Sequence, residues 1–209
     1  MPLERLNSYR SAKMRIAGIY HRPASTLTRY DRGAIALSIP PITPMVTQLR
    51  ELTPEPITAE NFAPYGQLIT PQDDSKPFDE QDAQLELSQG QPRFYLMRLH
   101  HRGYRFDKIT RHSRCSQCLG ALQGQDWYLA VAPPTQGNCP DETRLKAFHI
   151  PGTCFVKLHR GTWHAGPYFE AETVDFYNLE LTDTNVTDHL SYDYRENDGV
   201  EFAIAPTRH

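Results

Sequence analysis

The sequence predicts an all-β domain, a sandwich or a barrel, behind a disordered N-terminal extension. Three observations carry this. Seventeen prolines and eleven tyrosines stand in a chain of 209 residues without long helical repeats of Ala, Glu, Lys and Leu. Trp127, Leu129 and Val131 fall on one face of their segment, at the period of a half-buried strand. Similar short runs recur at regular spacing with Gly and Pro between them, as in sandwiches and barrels, and no alternation of strands with helices is visible.

The elements follow in order. Residues 1–44 carry Arg5, Arg10, Lys13, Arg15, Arg22, Arg29 and Arg32 against Glu4 and Asp31, and close on Ile39-Pro40-Pro41-Ile42-Thr43-Pro44. Such a stretch buries too little apolar surface to offset its ordering entropy, so residues 1–45 are expected to be disordered. Either Met45 is the biological start or the segment is an organellar transit peptide, and the first reading is the simpler. The domain is then residues 46–209. Thr58 caps a single helical turn over 58–63, and Tyr65 to Ile69 begins a strand. Residues 71–92, polar and broken by Pro71, Pro77, Gly90 and Pro92, form a surface loop. Strands are expected over Phe94–Leu99, Tyr104–Thr110, Trp127–Ala132, Leu145–Ile150, Thr153–Leu158 and Thr173–Leu181. Turn signals at Gly120, Gly124, Pro133-Pro134, Pro151-Gly152, Gly161 and Gly166-Pro167 separate them.

Composition excludes several classes. A net charge of −3 gives no footprint for nucleic acid, and no run of eighteen apolar residues offers a spanning helix. Residues 1–20 have no apolar signal-peptide core. Cys115, Cys118, Cys139 and Cys154 include one C-x-x-C pair without a second, and read as ordinary thiols of a reducing, cytoplasmic compartment.

Two stretches carry chemistry: Arg111-His112-Ser113-Arg114-Cys115-Ser116-Gln117 through Gly124, and Leu158-His159-Arg160-Gly161-Thr162-Trp163-His164. Their histidines lie about fifty residues apart and can meet only if the intervening strands fold back, which a double-sheet barrel allows. His112, Gln117 and Gly124 have the spacing of the first cupin motif, with Gln117 at its glutamate and Thr110 at its other histidine. The second motif is matched from His159, where proline usually stands, to His164.

Over roughly residues 50–205 the chain resembles the ureidoglycolate lyase family, also named ureidoglycolate hydrolases. The resemblance rests on Phe62-Ala63-Pro64-Tyr65-Gly66, Arg98, His112 with Ser116-Gln117, the string from Leu158 to His164, and Val174-Asp175-Phe176. It departs at Ala165, where the family often has a second histidine, and at Leu119 and Ala121, which replace an aromatic residue and a proline. The resemblance implies a cupin-like double-stranded β-helix barrel (a jelly roll) and a homodimer. It also implies cleavage of ureidoglycolate to glyoxylate and urea in allantoin and purine catabolism. A divalent metal, nickel or similar, is associated with the family, and His112, Gln117 and His164 are the ligands that this chain would offer.

That chemistry needs a proton taken from the substrate hydroxyl and one delivered to the departing nitrogen, both suited to histidine. His164 or His112 is expected as base and His159 as acid. Arg98, Arg160 or Arg114 would hold the carboxylate, since a guanidinium matches it bidentately, and Gln117 would orient the ureido group. Asp175 and Glu180, five apart on one strand, cannot both face inward. Trp163 reads as barrel-wall packing and His100-His101 as exposed. Two rivals keep the barrel: a metal-dependent cupin enzyme acting on another hydroxy acid, and a non-catalytic cupin that binds a small ureide or carboxylate. Fold alone cannot separate them.

Overall fold

The computed structural model describes residues 47–206, all within the unit that runs from Thr43 to His209; the expectations for residues 1–45 lie outside the described residues. The chain runs through β1 (Gln48–Leu52), β2 (Glu55–Pro56), α1 (Ala59–Phe62), β3 (Gly66–Ile69), β4 (Pro92–His100), β5 (Arg105–Phe106), β6 (Lys108–Arg111), β7 (Gln117–Ala121) and β8 (Gly124–Ala132). It continues through β9 (Lys146–Gly152), β10 (Phe155–Leu158), β11 (Trp163–Tyr168), β12 (Thr173–Leu181), α2 (Thr184–Thr187), β13 (Leu190–Asp193), α3 (Tyr194–Asp198) and β14 (Val200–Ile204).

Two sheets make the barrel. One has the order β3-β10-β7-β12-β4, the other β13-β6-β11-β8-β9-β2, and all pairs in them are antiparallel except β2 with β9. Their inward side chains share one core: Leu119, Val156 and Phe176 from the first meet Trp127, Leu129 and Phe148 from the second. The Trp127 and Phe176 rings cross edge to face at 5.3 Å, a favoured aromatic geometry. This is the all-β architecture that the sequence predicts, in the jelly-roll form that the resemblance implies.

A third sheet, β1-β14-β5, covers the outer face of the six-stranded sheet. Val200, Phe202 and Ile204 of β14 pack with Tyr128, Ala130 and Ala132, the other face of β8. The half-buried strand expected over 127–132 is therefore buried on both faces. The strand expected over 104–110 is two, since β5 joins the covering sheet and β6 the barrel. Gly166-Pro167, read as a turn, lies inside β11. The helical turn at 58 is as expected: the Thr58 hydroxyl accepts from the Asn61 amide, and the Asn61 side chain accepts from the Thr58 amide.

Candidate active site

The site forms where β6, β7 and β11 meet. His164 lies opposite Thr110 in the β11–β6 pairing, and His112 follows two residues after Thr110. The imidazoles of His112 and His164 have centroids 5.1 Å apart. The turn between β10 and β11 ties the two motifs together, because the Gly161 amide donates to the His112 carbonyl at 2.6 Å. Gly161 has φ +80°, a backbone that favours glycine. Gln117, at the start of β7, closes the floor. Together with Met97 and His189 these residues line a cavity of about 510 Å³.

Hydrogen bonds fix the imidazoles. Nδ1 of His112 meets the Asp188 carbonyl at 2.6 Å, and Nδ1 of His164 meets the Thr162 carbonyl at 3.2 Å. A carbonyl only accepts, so each Nδ1 carries the proton and each neutral ring keeps a bare Nε2. Burial lowers the His112 pKa, opposed by its bond to Asp188. Burial, with the neighbouring His112, pushes His164 down to about 3. Both rings are neutral at pH 7.

Behind Gln117 lies a polar network that sequence reasoning did not assemble. Gln117 Nε2 donates to Asn178 Oδ1 and Glu180 Oε2, both at 3.1 Å. Tyr95 Oη donates to Glu180 Oε1 at 3.1 Å and accepts from Asn178 Nδ2 at 2.9 Å. Glu180 and Asn178 are each 1% exposed, and Gln117 Oε1 is buried without a partner. Asp175 points outward, so parity on β12 separates the two acids as expected.

The expected cations are elsewhere. Arg98 makes a bidentate pair with Asp175 at 2.8 and 2.9 Å on the outer face. Arg160 donates to the Ser113 carbonyl and sits by Glu86 in a separate surface hollow. Arg114 is held by Asp183, Thr187 and the Gln89 carbonyl. The cavity rim instead carries Arg102, Arg105 and Lys108. Lys108 pairs with Asp193, whereas neither Arg102 nor Arg105 has an acidic partner among the described residues. Arg102 stacks over Tyr168 at 4.9 Å, and burial pushes that phenol up to about 12.

His159 does not share the cavity. It lies behind His112, Gln117 and His164, across a crevice with no room for a water molecule. Its Nδ1 accepts from Lys157 Nζ at 3.1 Å, so its Nε2 bears the proton and donates to the Ala63 carbonyl at 3.2 Å. Neither nitrogen is left for substrate. Trp163 is fully buried, in keeping with wall packing.

For a metal, the centre offers two bare imidazole nitrogens beside Gln117, whose amide oxygen is sealed from the cavity. That set suits a borderline ion such as nickel, which takes imidazole nitrogen readily. Among the described residues no group of three His, Cys, Asp or Glu converges for an ion. All four cysteines are free thiols, and no described helix is long and apolar enough to cross a membrane.

Comparison with known proteins shows the family. Residues 49–195 match the sequence model of the family described as ureidoglycolate lyase. A Pseudomonas syringae pv. syringae protein named ureidoglycolate lyase is 31% identical over 134 residues, covering 56% of this chain and 74% of that protein. Proteins of the same name from Pseudomonas syringae pv. tomato and Stutzerimonas stutzeri are 28% and 26% identical over 137 residues, with the same coverage.

Proposed function

This chain belongs to the ureidoglycolate lyase family, and from that premise we propose that it is a carbon–nitrogen lyase that cleaves ureidoglycolate to glyoxylate and urea. The observation that carries the reading is the pair of neutral imidazoles, each with a bare Nε2, on one cavity with two arginines that have no acidic partner among the described residues.

Ureidoglycolate carries a hydroxyl, a carboxylate and a ureido nitrogen on one carbon. Arg105, with Arg102 beside it, takes the carboxylate at the rim. His112 is the stronger base of the pair, because His164 is pushed further down. Its Nε2 accepts the hydroxyl proton, the oxygen lone pair closes the carbonyl of glyoxylate, and the carbon–nitrogen pair departs with the ureido group. The imidazolium so formed has a lowered pKa and is a ready acid, so it returns the proton to the departing nitrogen and urea leaves. No proton is gained or lost overall. His164 holds the second position on the reacting oxygen. His159 keeps a supporting place behind this pair.

When bound, a nickel-like ion would be held by His112 and His164 beside Gln117 and would polarise the substrate oxygens. One nitrogen cannot hold an ion and take a proton together, so the metal reading and the proton reading are separable. The four free thiols suit a reducing compartment, the cytoplasm. A homodimer belongs to the same reading: Phe94 and Leu96 are 66% and 56% exposed on the outer face of β4, beside the stacked rings of Tyr177 and Phe155.

The test is direct. Purified protein given ureidoglycolate should release glyoxylate and urea in equal amounts, unchanged after chelation. Binding without release would favour a sensor, and loss of release on chelation would favour the metal.

A further inference from the structure

His112 follows β6, and what holds it there comes from a residue 76 positions later in the chain. Asp188 bonds to consecutive residues of that loop. Its carbonyl accepts from Nδ1 of His112 at 2.6 Å, while Oδ1 accepts the Ser113 amide and Oδ2 the Arg114 amide, both at 2.7 Å. Both oxygens of the carboxylate are thus committed, in charge-assisted bonds that are short and strong. Arg114 answers from the other side. Its Nη1 donates to Asp183 Oδ2 at 2.9 Å and to Thr187 Oγ1 at 2.6 Å, and its Nη2 to the Gln89 carbonyl at 2.7 Å. The loop after β6 and the segment of α2 therefore grip each other in both directions.

The α2 segment needs that grip. It is a single turn of four residues, too short to hold itself, and the Asp183 side chain does not cap it but is taken by Arg114 and Thr187. The same segment brings Asn185 and His189 to the cavity wall. A carboxylate bound to both amides after His112 also fixes where the carbonyl of the same residue stands against the ring. Without that carbonyl a neutral imidazole can carry its proton on either nitrogen. We infer that Asp188 and Arg114 are positioning residues, whose mutual grip holds the Asp188 carbonyl on Nδ1 of His112 and so keeps that ring protonated on Nδ1 with Nε2 bare. The inference rests on the proposed lyase reading, in which that bare nitrogen is the base. Arg114, expected as a cation for the substrate carboxylate, acts instead through His112.

The test joins kinetics to a signature of the ring itself. Long-range proton–nitrogen NMR on the full chain, labelled at histidine, shows which nitrogen of each imidazole carries the proton, and His112→Asn identifies the signals of His112. At neutral pH the wild-type ring should be protonated on Nδ1. Asp188→Ala should populate the form protonated on Nε2 and lower kcat for glyoxylate release by about 10-fold to 100-fold, with KM within a few-fold, as a displaced base does. Asp188→Asn turns an amide N–H toward a main-chain N–H, and should move both readouts the same way by less. Arg114→Met keeps the stem and removes the donors, and should act like Asp188→Asn. The Arg114–Asp183 pair is exposed enough to add little to overall stability, so this variant should fold. A direct contact of Arg114 with the substrate carboxylate would raise KM instead. A merely structural clamp would lower the melting temperature and leave tautomer and kcat alone. If Asp188→Ala does not fold, Asp188→Asn and Arg114→Met supply the same contrast. A folded Asp188 variant with the wild-type tautomer or the wild-type kcat overturns the inference, as does a rise in KM alone in Arg114→Met. Should the wild type release no glyoxylate, the lyase reading falls, and the tautomer comparison still decides whether Asp188 and Arg114 hold the ring.

Discussion

His112 and His164 present their imidazoles to one cavity at 5.1 Å, each with Nδ1 committed to a main-chain carbonyl and Nε2 bare. Backbone thus sets the tautomer of both rings, from two different loops: Asp188 follows α2, and Thr162 sits in the turn before β11. A ring so held cannot exchange its two nitrogens without losing a hydrogen bond. The proposed proton transfer depends on that constraint.

The histidines should divide sharply by position. His164→Asn should lower kcat for glyoxylate release by about 10-fold to 100-fold, as loss of a group on the reacting oxygen does. His159→Gln should keep kcat and KM within a few-fold of wild type, since neither of its nitrogens reaches substrate, and should lower the melting temperature through the lost Lys157 and Ala63 contacts. Steady-state kinetics beside a thermal melt distinguishes the two patterns. A dead, well-folded His159→Gln would return the acid role to that residue.

The arginines should divide in the same way. Arg105→Gln should raise KM about 10-fold or more with a smaller effect on kcat, the signature of a carboxylate contact. Arg98→Gln should leave KM unchanged, because its partner is Asp175 on the outer face. Equal effects of both substitutions would contradict the assignment of the rim.

Acid should destabilise the fold through the buried histidines. Both have folded pKa values below the ordinary 6.5, so the unfolded chain takes up protons that the folded one refuses. Their contribution is complete above pH 6.5 and is lost as pH falls through the lowered folded values. The slope is at most about 1.4 kcal/mol per pH unit for each histidine. Melts between pH 7.5 and 4 should decline on the acid side, and His164→Asn should flatten that decline. An equally steep curve in the variant would exclude His164 as a source of the acid response.

The apolar strip on β4 gives a prediction about assembly. Leu96→Glu should convert a dimer to a monomer in light scattering, because a charge placed in a dry interface is costly. A wild-type protein already monomeric at micromolar concentration would refute the dimer.

How much the sequence revealed follows from what alternation can encode. On β12 the inward side chains Val174, Phe176, Asn178 and Glu180 alternate with outward ones, and that parity already separated Glu180 from Asp175. On β4, Phe94-Tyr95-Leu96-Met97 is apolar on both faces, so parity could not place Arg98, which shares the outward face with Phe94 and Leu96. The second burial of β8 depends on β14, some seventy residues later, and no local pattern announces it. The two histidines and Gln117 were legible through motif spacing. Arg102 and Arg105 on the cavity and Asn178 behind it were not, because the placing of their segments is set by pairing across the sheets. His159 misled for the same reason: it lies in the motif, while the turn at Gly161 carries it to the far side of the wall.

The most direct measurement is the rate of glyoxylate release from ureidoglycolate by His112→Asn beside the wild type, with the melting curve of each. If His112 is the base, the wild type turns over and the variant, still folded, is slower by about 100-fold or more. A folded His112→Asn that releases glyoxylate at the wild-type rate would contradict that role.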